Sequence, residues 1–175
     1  MTPDTSTPLV ARLFRLGEAA IGALERLQPV ALLAARLYVG TVFFRAGIAK
    51  LRDWDGTLAL FADEYHVPLL DPGVAAFIGT GAELALPVLL VAGLFGRFAA
   101  AGLAVLNVVA VLSLSEIPEA ALQGHIFWGS LLAGLLLWGP GTWSLDRLVV
   151  PRLRAWALRQ PAPPAAAAQP VSRAV

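Results

Sequence analysis

Residues Pro72–Phe95 read PGVAAFIGTGAELALPVLLVAGLF, an apolar run whose only charge is Glu83. About 20 such residues cross a bilayer as a helix. Three more runs of similar length lie on either side of it. Pro29–Lys50 precedes it and contains Arg36 and Arg45, while Phe98–Ser115 and Ile126–Trp143 follow it without a charge. A lipid-exposed backbone has to satisfy its own hydrogen bonds, so each run is expected to be helical. Alternation of period two, the mark of a membrane β-barrel, is absent. The expected fold class is an all-α membrane protein, a four-transmembrane-helix bundle.

The composition of the whole chain agrees. Its 175 residues are 58% hydrophobic and 14% charged, with a mean hydropathy of +0.72. A soluble domain of this size carries about 25% charge. With no cysteine, the chain is expected to have no disulfide, no thiolate chemistry and no cysteine-held metal cluster. A net charge of +1 gives no attraction to nucleic acid, which is not expected as a partner. Lys50 is the single lysine among many arginines, and Ala and Leu are abundant. That composition suggests a GC-rich bacterial genome.

Outside the four runs the chain changes character. Met1–Pro8 is polar and lacks the pattern of a signal peptide. Between Leu9 and Leu27, Leu13, Leu16, Ala20, Leu24 and Leu27 recur at helical spacing among Arg12, Arg15, Glu18, Glu25 and Arg26. This predicts an amphipathic helix, lying on the cytoplasmic membrane face or packed against a partner or the bundle. Trp54, Leu58, Phe61 and Tyr65 predict a second, short amphipathic helix in the acidic link Leu51–Asp71. The second link, Gly96-Arg97, is so short that its flanking spans form a hairpin. Gln160–Val175 is rich in Pro and Ala and is expected to be disordered. The expected organisation is an N-terminal segment (1–28), a transmembrane domain (29–146) and a basic, then Pro/Ala-rich, tail (147–175).

Arg12, Arg15, Arg26, Arg97, Arg147, Arg152, Arg154, Arg159 and Arg173 fall on one side of such a bundle. Only Lys50 and Arg52 fall on the other, among Asp53, Asp55, Asp63, Glu64, Asp71, Glu116 and Glu119. By the positive-inside rule both termini are expected to be cytoplasmic, and the expected location is a bacterial inner membrane.

Charges inside the spans are the main functional signal. Each costs about 2.5–3.5 kcal/mol near a helix centre unless paired or wetted. At about 100° per residue, Arg36, Gly40, Phe43, Gly47 and Lys50 share one stripe, whereas Arg45 points the other way. The favoured arrangement puts Arg36 and Lys50 on the interior with Glu83 as their carboxylate, and Arg45 with Glu83 is the alternative. Asn107 lies mid-span in the third run and is expected to bond across helices. His125 shares a face with Trp128 and titrates near neutrality. Pro87 frees the Glu83 carbonyl one turn earlier. Arg36, Lys50, Glu83, Asn107 and His125 are therefore the candidate ligand-binding residues, with no catalytic set and no metal site among them.

The run Arg36-Leu37-Tyr38-Val39-Gly40, then Phe43-Phe44 and Ala46–Leu51, resembles the first-helix signature of DoxX-like membrane proteins. Gly81–Leu84, Gly93–Arg97, His125–Trp128 and Gly139–Asp146 extend the likeness across most of the chain. Arg45 departs from the pattern. The resemblance implies a four-helix bundle in the cytoplasmic membrane and an association with quinone-linked or stress-related redox systems.

Together these readings lead to an expected subunit or binding protein of membrane redox chemistry, with a quinone-like molecule in a polar bundle cavity. No resident cofactor is evident, so electrons would come from a redox partner protein. A non-catalytic scaffold for a partner is the alternative, followed by small-solute transport. The other expected partners are the lipid bilayer and, as a homo-oligomer, further copies of the chain.

Overall fold

The computed structural model describes residues 9–114 and 116–158. Met1–Pro8 and the expected disordered tail Gln160–Val175, with Arg159 and Arg173, lie outside the described residues. The described chain is six helices: α1 (Leu9–Arg52), α2 (Trp54–Asp63), α3 (Pro72–Ala92), α4 (Gly96–Ser113), α5 (Glu119–Trp138) and α6 (Asp146–Ala157). Four of them, α1, α3, α4 and α5, are long and apolar enough to cross a membrane. The all-α membrane bundle expected from the sequence is the fold observed.

The core between these four helices is built by Val39 and Phe43 of α1, Leu90 of α3, Ala99, Ala100 and Leu103 of α4, and Leu132 and Leu135 of α5. Small residues bring the backbones together. A Cβ on Gly40 would sit 2.6 Å from the Val91 side chain, so only glycine allows α1 to lie this close to α3. The short helix α2 packs on α3 through Phe61, Ala75 and Ala76 and caps one end of the bundle, as its amphipathic pattern predicted.

Three boundaries differ from the sequence expectation. First, the amphipathic N-terminal stretch is not a separate helix. Leu9–Arg52 is one helix of 44 residues that runs through Pro29. Nothing upstream forces a break, because the four residues before Pro29 offer no turn chemistry. The part up to Gln28 extends past the bundle by about 30 Å at 1.5 Å per residue and is exposed almost throughout. Second, the fourth span is displaced toward the N-terminus. Pro118 and Glu119 open α5, and Gly139 ends it at φ 82 before Pro140. Hydropathy had located the apolar run but not the helix start. Third, the basic stretch after Trp143 forms the helix α6, with Pro151 inside it.

The bundle end where α1 enters and α6 begins, the terminal end, is fastened by one arginine and one aspartate. Arg36 is 1% exposed. Its Nη1 donates to the Pro140 carbonyl at 2.8 Å and its Nη2 to the Trp143 carbonyl at 2.6 Å. Asp146 accepts from the Phe95 and Gly96 backbone N–H groups at 2.7 and 2.9 Å, filling the N-terminus of α4. Phe95 is thereby held at φ 50, a left-handed conformation that non-glycine residues rarely adopt. The Leu145 and Asp146 N–H groups close the same turn onto the Ala92 and Gly93 carbonyls.

Hydrogen bonds to a charged acceptor contribute about 1.5–3 kcal/mol each. Asp146→Ala is expected to lower the thermal unfolding temperature and speed amide exchange at Phe95 and Gly96. Asp146→Asn should recover part of both. Exchange unchanged in the alanine variant would show that the turn holds without its carboxylate.

Candidate functional site

The polar residues of the spans sort into three places. The first is a chamber of about 270 Å³ near the α2 end. Phe61, Tyr65, Val67 and Leu70 form its roof, Ala75, Ile78, Gly79 and Glu83 one wall, and Val105, Leu106, Val109 and Ala110 another. Lys50, in the last turn of α1, completes it. Ile78 and Val105 are more than half exposed, so the rim lies on the outer surface of the bundle between α3 and α4.

Lys50 Nζ lies 2.7 Å from both Glu83 oxygens, with the two side chains 18% and 13% exposed. The folding of α1 and α2 explains the position. Thr57 donates its hydroxyl to the Lys50 and Asp53 carbonyls, fixing the corner where α1 gives way to α2. Gly47, one turn before Lys50, has no side chain to hold α3 away, and a Cβ there would come 3.1 Å from that of Glu83. An ammonium bonded to both carboxylate oxygens offsets the cost of burying either charge.

Neither Arg36 nor Arg45 pairs with Glu83, which corrects the arginine in both readings of that carboxylate, while Lys50 of the favoured one does meet it. Arg36 does share the interior stripe with Lys50, and Arg36, Gly40, Phe43 and Gly47 are all buried. Sharing a stripe fixes direction and not height. Fourteen residues separate Arg36 from Lys50 in the sequence, about 21 Å along a helix, so one carboxylate cannot meet both. Arg36 is instead satisfied by the loop carbonyls at the terminal end. Arg45 is exposed on the opposite face of α1, as the helical angle requires.

The third place is a clamp between α4 and α5. Asn107 Nδ2 donates to the His125 carbonyl at 2.9 Å, and His125 Nδ1 donates to Asn107 Oδ1 at 2.8 Å. An amide oxygen only accepts, so Nδ1 carries the proton. The imidazole also meets Trp128 edge-on, with ring centroids 5.0 Å apart, and Trp128 meets Phe43 in turn. Asn107 therefore bonds across helices as expected. Neither Asn107 nor His125 lines the chamber. His125 sits in the second turn of α5 rather than at its start.

Tyr65 is the chamber residue that sequence reasoning left without a role. Its ring stacks on Phe61 at 5.1 Å between centroids. The backbone around it pairs with the end of α4, through a bridge to Leu114 and a bond from His66 N–H to the Ser113 carbonyl. Burial pushes the Tyr65 phenol above its ordinary pKa, helped by the negative charges of Glu83 and Glu64. The hydroxyl is therefore a neutral donor at physiological pH. The signal was present as the apolar spacing of Trp54, Leu58, Phe61 and Tyr65, but it gave no direction for that face. Among the described residues no group of three or more His, Asp or Glu could hold a metal ion.

The DoxX family model matches residues 31–116, from the first span through the end of α4. The chain belongs to the DoxX family. The match includes Arg36, Lys50, Glu83 and Asn107, and stops before His125 and Asp146. No curated protein and no solved structure matches the chain.

Breaking a buried pair by removing one partner costs about 3–5 kcal/mol, whereas replacing both by apolar groups is often neutral. Lys50→Met is expected to lower stability in mild detergent by about that amount. Adding Glu83→Leu should restore most of it. A double variant no better than the single one would show that the two side chains do not act as a pair. Asn107→Leu, which breaks the clamp, is expected to cost less, about 0.6–1.7 kcal/mol.

Proposed function

We propose that this DoxX-family membrane protein binds a membrane-soluble, quinone-like molecule in the chamber beside Lys50 and Glu83 and serves a redox partner protein. The observation that carries the reading is an apolar chamber with one ion pair in its wall and a rim at Ile78 and Val105. An apolar cavity with a few convergent polar groups is the usual form of a small-molecule site. A chamber of about 270 Å³ suits a ring-sized head group, and its lipid-side rim suits a ligand whose apolar tail stays in the bilayer. Lys50 supplies a cation to a carbonyl oxygen, the Tyr65 hydroxyl is a second donor within the lining, and Glu83 is an acceptor. Arg36, Asn107 and His125 stand outside this chamber, so the binding role rests on Lys50, Glu83 and Tyr65. The redox chemistry belongs to the bound molecule and the partner, and the chain orients the ring and keeps water from it.

The test is extraction of the full chain from native membranes in mild detergent, with bound lipophilic molecules identified by mass. A quinone-like compound should co-purify with wild type. Ile78→Trp, which fills the rim, should reduce it at least about tenfold, as a steric block in a pocket removes most ligand contact. Recovery of no such compound from wild type, or equal recovery from Ile78→Trp, would overturn the reading.

The exposed arm of α1 favours a second reading, that of a scaffold holding a partner in the membrane. In that case removal of residues 1–27 abolishes partner recovery while Glu83→Gln leaves it intact.

A further inference from the structure

A second cavity lies at the terminal end, about 27 Å along α1 from Lys50 to its nearest lining residue of that helix, Leu32, and the binding reading above makes no use of it. It is a groove of about 710 Å³ between α1, the α3–α4 turn, the loop after α5 and the start of α6. Leu32, Phe98, Trp138 and Val150 give it an apolar wall, and Arg97, Thr142 and Arg147 give it a polar one. Arg97 opens α4 and Trp138 closes α5, so the groove sits where two spans end.

The hydrogen bonding of its floor is lopsided. Several of its acceptors are already taken. The Pro140 and Trp143 carbonyls receive Arg36, the Gly141 carbonyl receives the Ser144 hydroxyl, and the Leu137 carbonyl receives Arg97. Both oxygens of Asp146 are held by the Phe95 and Gly96 N–H groups. The donors are left over. Among the described residues, the Gly141 and Thr142 N–H groups, the Thr142 hydroxyl and the Arg147 guanidinium have no hydrogen-bond partner. Two guanidiniums with spare donors, beside a carboxylate already engaged by two backbone N–H groups, form a site for an anion. An adjoining apolar wall at the span ends adds a place for hydrocarbon.

We propose that this groove binds an anionic phospholipid. Its phosphate lies against Arg147, Arg97 and the Gly141–Thr142 donors, and its acyl chains run along Leu32, Phe98 and Trp138. Basic pockets between helices at a membrane surface take such head groups, and each basic side chain contributes about a fivefold change in affinity. A free phosphate would use the donors and leave the apolar wall bare.

The purified full chain in neutral detergent is titrated with phosphatidylglycerol, phosphatidylcholine and inorganic phosphate, with bound species read by native mass spectrometry. Phosphatidylglycerol should be retained at least about tenfold better than phosphatidylcholine, reflecting two basic side chains. Arg147→Gln should weaken retention about fivefold and Arg147→Glu further. The Arg147 side chain makes no hydrogen bond within the described chain, so these variants should fold as wild type. Arg97→Gln is informative only beside them, because Arg97 also holds the Leu137 carbonyl. Arg45→Gln, on the far face of α1, should retain the lipid fully. Equal retention of the two lipids, wild-type retention by Arg147→Glu, or displacement of the lipid by millimolar inorganic phosphate would each overturn the assignment.

Discussion

A guanidinium buried among apolar helices has to find acceptors, and Arg36 finds them in a loop. Its two terminal nitrogens take the Pro140 and Trp143 carbonyls, so the loop after α5 folds inward around the arginine instead of leaving into solvent. The consequences spread from there. The inward fold brings Ser144–Asp146 onto the end of α3, where Gly93 at φ 66 leaves room that a side chain would fill. Asp146 then reaches the bare N-terminus of α4 and holds Phe95 in its unusual conformation. With the Pro140 and Trp143 carbonyls spent on Arg36, the same loop keeps the Gly141 and Thr142 N–H groups as donors without a partner among the described residues. One satisfied charge thus shapes both the closure of the bundle and the chemical character of the groove beside it.

At the opposite end the same constraint is met differently. Glu83 has no loop to turn to, since its neighbours are α1 and α4 within the apolar layer. It is matched by the one lysine of the chain, whose compact ammonium reaches both carboxylate oxygens at 2.7 Å. The chamber forms there because the Lys50–Glu83 pair and the small residues Gly79, Ala75 and Ala110 leave space that no large side chain fills. The roof over that space is α2 and its following link, tied down by Tyr65 and His66 to the end of α4.

The sequence made the helices easy to read and the contacts between them hard. Apolar runs long enough to span gave four of the six helices, and the spacing of Trp54, Leu58, Phe61 and Tyr65 gave α2. Prolines misled in one place, because Pro29 sits within a continuous helix in which only one backbone bond is lost. For the site, angular position was legible: Arg36 and Lys50 did prove to face inward and Arg45 outward. Height was not, because which residue of α1 lies level with Glu83 depends on the tilt and slide of two helices, set by Gly40 against Val91 and Gly47 against Glu83. The role of Asp146 was hidden for a similar reason. A carboxylate after a helix stop says nothing about a turn fifty residues earlier until the Arg36 contacts bring the two together.

Because Arg36 and Lys50 stand on the same uninterrupted helix, they act as two pins on one rod. Sliding α1 along α3 by one turn, about 5.4 Å, would break the Lys50 pair and both Arg36 bonds at once. The register of the first span is therefore fixed at both ends, and the chamber has no inexpensive way to open by moving α1. A ligand beside the pair has to be accommodated without separating it. The ammonium has three protons and the two Glu83 oxygens occupy two of them, which leaves one to donate to a carbonyl. The carboxylate keeps spare lone pairs for a hydroxyl. A ring carrying either group can thus be received by an intact ion pair, and any motion that admits it falls to the roof of α2 and the rim at Ile78 and Val105.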